Sequence, residues 1–357
     1  MFDSLRSFTD RVLGRGSAAI TVPVMDGTLK PNRVLEDATV VAELPGIDDL
    51  AGDGHALWAS AGPVLYRIDD GGPVELRRFD APISALAMSA EGQLAVALDG
   101  RRIEVLDAAG AQIARLDGLR SVNALAWEDG DTLLFSEGSR THGPTQWCHD
   151  LMALGRSGRA ARWRLKGKDA EPLVGDLEYA FGVLPAAGGV LVAESWRHRV
   201  LKRDAQGKLG PLLSELPGYP SRLAPASGGG FWLSCFVCRT QLVEFVLREP
   251  AYRQRMVAEI DPRYWIAPAL SSGNSFLEPL QGAGVKNMGV LKPWAPPRSY
   301  GLVLRVSDDG RVQRSLHSQV DGHHHGITAI REHRGALYAA CKGRGRLLRV
   351  ELQGEAS

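Results

Sequence analysis

The sequence is defined first by what it lacks. Four Cys in 357 residues cannot form a disulfide scaffold. Charge of one sign is missing too. With 42 Lys+Arg against 41 Asp+Glu the net charge is +1, which excludes the basic excess of a dedicated nucleic-acid binder. No apolar run approaches the ~20 residues of a spanning helix. The first sixteen residues have no signal-peptide core, because Asp3, Arg6, Asp10 and Arg11 interrupt them. The cytoplasm is therefore the expected compartment, and a short amphipathic helix the expected form of residues 1–16. The chain carries no Walker loop, no G-x-G-x-x-G after a strand and no G-x-S-x-G. Cys235 and Cys238 form a lone C-x-x-C without the second pair that zinc needs, and read as packed thiols. His323, His324 and His325 are adjacent and read as a turn, with one ring available at most as an acid or base.

What is present is a hydrophobic fraction of 44%, enough for a large core, and 41 Gly with 20 Pro, which imply many tight turns. A repeat runs through them. Apolar strands recur as HALWAS from His55, QLAVAL from Gln93, TLLFSE from Thr132, GVLVAES from Gly189, GFWLSC from Gly230 and ALYAAC from Ala336. Their starts lie roughly 38, 39, 57, 41 and 106 residues apart, around the ~40-residue period of a propeller blade. Partner strands follow at 64–69, 102–107, 200–204, 302–307 and 347–352. The expected fold is all-β: a six-bladed β-propeller over 38–352, with an arm at 1–37 and a tail at 353–357. Blade six lacks a fourth strand, and 38–44 has no blade of its own, so that segment is expected to close the ring.

The two irregular spacings mark insertions. One is the blade-three loop at 137–149. The other, about 236–299, carries Pro250 ahead of Tyr252, Met256, Val257 and Ile260 at helical spacing, then a Pro- and Trp-rich stretch. It reads as a helical lid over the central channel. In such a ring the innermost strands start at the channel mouth. The residues placed there are Asp48, Asp49, Ser84, Asn123, Phe181, Ser221, Arg222 and 325–328, a concave polar site for a small molecule. His142, Trp147 and His149 sit above it on the blade-three loop. Oligomeric state is open.

Several segments carry a resemblance. LEYAFGVLPAAGGVLVAESWRHRVLKRD, LSELPGYPSRLAPASGGGFWLS, YGLVLRVSDDGRVQRSLHS and GITAIREHRGALYAAC resemble strictosidine-synthase-like proteins, of the gluconolactonase, regucalcin and paraoxonase superfamily. The resemblance implies a six-bladed propeller and, in its calcium-dependent members, hydrolysis of lactones and esters. The ligands implied are Glu in blade one, Asn in blades three and four, and Asp in blade five. Here those positions hold Asp48, Asn123, Phe181 and Ser221, with Arg222 beside the last. Only Asp48 and Asn123 remain as metal ligands, an incomplete site, so no cofactor is expected and Ca2+ is the weaker alternative. The synthase's catalytic Glu falls on Thr328, which excludes strictosidine synthesis. Glu194 matches a residue common in the family and is expected to hold backbone N–H groups. The resulting expectation is a hydrolase of a small lactone or ester. In it Arg222 and Asn123 polarise the carbonyl and Asp48 or His325 activates water, while His142, Trp147, His149, Phe181 and Ser221 contact substrate. The alternative is a non-catalytic small-molecule binding propeller that has lost the calcium chemistry.

Overall fold

The computed structural model describes residues 22–352, except 168, 276 and 280–297. The expected helix at 1–16 and the Trp- and Pro-rich stretch at 293–297 lie outside the described residues.

Each repeat folds into a four-stranded antiparallel sheet whose strands run outward from the axis in chain order. Blade one holds β2 (Ile47–Gly52), β3 (Leu57–Ala61), β4 (Val64–Asp69) and β5 (Gly72–Arg78). Blade two holds β6 (Ile83–Met88), β7 (Leu94–Leu98), β8 (Arg102–Leu106) and β9 (Gln112–Leu116). Blade three holds β10 (Val122–Asp129), β11 (Thr132–Glu137), β12 (Gly158–Arg164) and β13 (Glu171–Leu177). Blade four holds β14 (Ala180–Ala186), β15 (Gly189–Glu194), β16 (Arg199–Asp204) and β17 (Leu209–Leu213). Blade five holds β18 (Gly218–Pro225), β19 (Phe231–Cys238), β20 (Leu302–Val306) and β21 (Val312–His317). Blade six holds β22 (Ile327–His333), β23 (Ala336–Cys341) and β24 (Arg346–Glu351). Its fourth strand is β1 (Thr39–Glu43), which pairs antiparallel with β24 and closes the ring as the sequence predicts.

Burial explains the strand compositions. A second strand is sandwiched between neighbouring blades, so both faces are apolar; all five residues of β7, LAVAL, are buried. Outer strands meet water and read as mixed: β5 is GPVELRR and is largely exposed. The blades therefore cohere through apolar faces, and each pleated sheet exposes only a short edge. In blades three and four a Glu ends the second strand opposite an Arg within the first two residues of the third. Glu137 takes the Arg120 N–H at 2.7 Å and Arg159 Nε at 2.8 Å. Glu194 takes the Glu178 N–H at 2.8 Å and Arg199 Nε at 2.6 Å, which is the backbone-holding role expected of it.

The insertions are more helical than the sequence suggests. The blade-three loop runs to 157 and contains α1 (Trp147–Met152). The blade-five insertion starts later than expected, because β19 continues through Cys238. It holds α2 (Gln241–Arg248), capped by the Thr240 hydroxyl, and α3 (Pro250–Glu259), which opens on Pro250 as expected. Met256 of α3 is buried, but Tyr252, Val257 and Ile260 are exposed, so the apolar face read from spacing is only partly the buried one. The insertion docks through Val246, Met256, Trp265 and Ala267. These pack with Tyr179, Phe181, Trp196, Tyr219 and Phe236 at the ends of blades four and five. No helix among the described residues is long and apolar enough to cross a membrane.

Candidate functional site

The starts of the six inner strands converge on one side chain. Arg222, from β18, is 5% exposed and reaches into the channel between the inner strands. Its Nε donates to the Asn123 carbonyl at 2.8 Å and lies 3.2 Å from Asp49 Oδ2. Nη1 donates to the Asp48 carbonyl at 2.8 Å, to Asp48 Oδ1 at 3.0 Å and to the Thr328 carbonyl at 3.3 Å. Nη2 donates to the Ser84 carbonyl at 2.6 Å. The ring of Phe181 lies 5.3 Å from the guanidinium carbon. One guanidinium thus touches the inner strands of blades one, two, three, four and six while belonging to blade five. Its planar fork of five N–H groups suits several acceptors at once, which a Lys could not match.

Charge around Arg222 is balanced by two carboxylates and a second cation. Lys342, in the turn after β23, sits 2.5 Å from Asp48 Oδ2. Burial pushes the Asp48 carboxyl up, but Lys342 and Arg222 outweigh it and hold its pKa below the ordinary value. Asp49 differs. Its oxygens accept the Leu50 and Leu86 N–H groups, each at 2.8 Å, yet burial dominates and pushes its pKa up to about 6. Two adjacent acids in one sequence thus have opposite shifts because their neighbours differ.

Arg222 divides the channel. Above it lies a chamber of about 30 Å³, lined by Asp48, Ser84, Asn123, Thr328 and Lys342 below and by Pro144, Trp147, Tyr179, Phe181, Phe236 and Leu270 around. The volume suits a water or two. Below Arg222 lies a larger chamber of about 270 Å³, walled by the inner strands and bounded by Asp49, Arg222 and Arg331. Glycine sets part of the upper wall. A Cβ on Gly138 would fall 2.3 Å from Asn123 Nδ2 and 2.9 Å from the Tyr179 ring, so only glycine lets the two side chains meet there.

Asp48, Asn123, Phe181, Arg222 and Trp147 are therefore brought together, as the sequence suggests. Ser84, Thr328 and Asp49 join them around Arg222, whereas His325, Ser221, His149 and His142 do not. His325 does not line either chamber: its ring is buried between the segments around Ser299 and Gln319. Its Nδ1 is 2.7 Å from Ser299 Oγ and its Nε2 2.7 Å from the Gln319 carbonyl, and burial lowers its pKa. Ser221 is fully buried between blades, bonded to Ser234 Oγ at 2.8 Å, because the residue before Arg222 faces the opposite side of the strand. His149 packs edge-on against Trp265 at 4.8 Å. His142 lies near the rim, its Nδ1 3.2 Å from Oδ2 of buried Asp150, whose other oxygen accepts Trp196 Nε1 at 2.9 Å. Lys342 and Tyr179 were not read from the sequence. Lys342 stands in KGRGR, which looks like a solvated turn. Tyr179 precedes β14 at φ +65°, and its ring stacks on Trp196 at 4.3 Å.

Calcium does not fit this site. The ion takes six to eight oxygens, and here the inward carbonyls of Asp48, Ser84, Asn123 and Thr328 all face a guanidinium. The Asn123 amide donates to the Ala180 carbonyl at 3.1 Å. Among the described residues no group of three His, Cys, Asp or Glu side chains is arranged to hold a metal.

No family model matches the sequence. Curated relatives do. The chain is 24% identical over 284 residues to the human adipocyte plasma membrane-associated protein, covering 77% of this chain and 54% of that one. The mouse protein is 23% identical over the same length and coverage, and that of Salmo salar 23% over 226 residues, covering 59% and 46%. The chain thus spans about half the length of the curated relatives it matches. Among solved structures, a gluconolactonase from Xanthomonas campestris superposes with TM-score 0.57 at 14% identity, covering 93% of this chain and 95% of that one. A regucalcin from Agrobacterium tumefaciens gives TM-score 0.52 at 11% identity, covering 88% and 92%. The chain is a six-bladed propeller with the fold of the gluconolactonase and regucalcin structures and a sequence similar to the adipocyte plasma membrane-associated proteins.

Proposed function

We propose that the protein binds a small organic molecule at the upper end of its channel, over a fixed cation instead of a metal. The observation that carries this is the Arg222–Asp48–Lys342 set facing an aromatic enclosure. Trp147, Tyr179, Phe181 and Phe236 offer flat apolar surface, and Lys342 offers a half-buried charge for one polar head group. The ligand expected is a compact ring compound bearing a carbonyl or acid group. Its body exceeds the present 30 Å³, so Trp147 and Leu270, both carried by insertions, swing aside on binding. In this reading the insertions act as the lid.

A second reading, calcium-independent hydrolysis of a lactone or ester, is favoured by the His142–Asp150 pair. A buried carboxylate on Nδ1 leaves Nε2 free to take a proton from water, as in other acyl-transfer sites. Water would attack the carbonyl carbon, the ring or ester C–O bond would break, and the proton would pass to the leaving oxygen. Lys342 would stabilise the oxyanion. Asp48, held ionised, is the weaker base. Fold shared with a gluconolactonase at 14% identity adds plausibility to the substrate class and no residue roles.

The experiment is a thermal-shift screen of lactones, aryl esters and ring acids, followed by turnover assays on the hits. Binding lost in Lys342→Met and Trp147→Ala, without turnover, supports the first reading. Turnover lost in His142→Asn with binding kept supports the second. Shifts that survive both Lys342→Met and Trp147→Ala overturn the upper chamber as the site.

A further inference from the structure

The chamber below Arg222 has a different chemistry. Its walls are aliphatic, with Leu86, Ala124, Val183, Leu223 and Ile330 from five inner strands, and Trp127 near its lower end. At about 270 Å³ it approaches the small end of the ~300–1,000 Å³ range of ligand pockets. Its roof is Asp49 and Arg222, whose charges and hydrogen bonds are mutually satisfied. Its floor carries Arg331, from the far end of β22. Arg331 makes one hydrogen bond, Nη2 to the Gly52 carbonyl at 2.6 Å, and no carboxylate among the described residues lies within ion-pair distance of it. The acids nearest in electrostatic terms are Asp49, Asp53 and Glu332. Asp53 accepts the His55 and Ala56 N–H groups, and Glu332 takes the Ser227 N–H and Trp232 Nε1. A half-buried guanidinium with most of its donors unused beside an apolar chamber is a charge poised for an anionic partner.

We propose that the lower chamber is a second binding site, for an unbranched aliphatic monocarboxylate whose carboxylate sits on Arg331 and whose chain runs up between the inner strands. A guanidinium offers a carboxylate two parallel hydrogen bonds, which matches the unused edge of Arg331. The orientation follows from the roof: a carboxylate pushed upward would meet Asp49, while a methyl end meets Leu86 and Val183. The site is separate from the upper chamber, since Arg222 closes the channel between them.

Isothermal titration of the full chain with octanoate, decanoate, dodecanoate and decanol tests this. Each two-carbon step within the chamber tightens binding about fifteenfold, because a buried methylene contributes about 0.8 kcal/mol and about 1.4 kcal/mol is tenfold. Decanol binds at least about tenfold more weakly than decanoate, since it lacks the charged pair. Arg331→Gln weakens decanoate about tenfold or more, Arg331→Lys less, and Lys342→Met leaves it unchanged. Absence of binding, equal affinity for acid and alcohol, or loss in Lys342→Met would each overturn the proposal. Should Arg331→Gln fail to fold, the acid–alcohol pair on the wild type decides, together with Ala126→Phe, which narrows the chamber and should abolish binding.

Discussion

The two chambers share a channel and a dividing residue but differ in almost every other respect. The upper one is small and aromatic, with Asp48 answered by both Arg222 and Lys342. The lower one is larger, aliphatic and leaves Arg331 without a carboxylate. Insertions overhang the first; bare strand ends frame the second. The difference teaches where variation enters a propeller. At the mouth the loops add aromatic side chains freely, while the far half of the channel is set by inner-strand residues that must also pack the blades.

Removing the partition should have the largest effect. Arg222→Met strands Asp49 and four carbonyls and leaves Asp48 to Lys342 alone, and we expect a loss of about 3–5 kcal/mol, the cost of breaking a buried pair from one side. Urea denaturation at pH 7 measures it. Combined with Asp48→Asn, the two losses should fall short of their sum by about 0.5–3 kcal/mol, because the residues act as one unit. Additive losses would mean that Arg222 serves the carbonyls alone.

Protonation separates the two acids next. Asp49 has a native pKa of about 6 against 3.8 in the unfolded chain. Its native state binds the proton more tightly, so its contribution is complete below about pH 4 and is lost as pH rises through 6. The loss is at most about 3 kcal/mol at about 1.4 kcal/mol per pH unit. Asp48, with its pKa lowered, contributes above its unfolded value and loses that contribution only as pH falls through the native one, below about pH 4. The stability of wild type minus that of Asp49→Asn should therefore decline between pH 4 and 6. A flat difference would show that Arg222 holds Asp49 ionised after all.

Smaller effects mark the upper chamber's openness. Lys342 is about one-third exposed, so Lys342→Met should cost less than about 1 kcal/mol of stability. It should still remove ring-compound binding above Arg222 and leave decanoate titration untouched. Calcium should do least of all: millimolar CaCl2 should not move the melting temperature, whereas saturation at 100 times a dissociation constant would add about 2.7 kcal/mol. A clear calcium shift, abolished by Asp48→Ala, would mean that the ion displaces the guanidinium.

Most of the architecture was legible because a blade imposes a period. Strands such as LAVAL and TLLFSE are buried on both faces, so their apolar runs stand out, and the Gly-containing turns between them fix the spacing. The unpaired segment around Thr39–Glu43 was legible by subtraction. At the site, Arg222 and Asp48 could be read as a pair because they start inner strands of different blades. His325 could not be placed, since the partners that hold its ring, Ser299 and Gln319, lie in connecting segments outside the strand repeat. Lys342 gave no signal among the cations of its turn. Helix α1 was hidden because Gly143 and Pro144 ahead of it read as a loop, and its partners Trp196 and Phe236 lie far off in sequence.

The closing strand has a consequence for how the chain comes into being. Thr39 pairs with Arg349, a partner roughly 300 residues later. At a synthesis rate of roughly 5–20 residues per second, β1 waits at least about fifteen seconds for β24 to exist. During that time five blades can form in order from local hairpins, but the circle stays an open arc. Its last step is a long-range encounter, the slow kind in folding. Until then neither chamber has a complete wall, so ligand capture at either one reports the final event of the whole process.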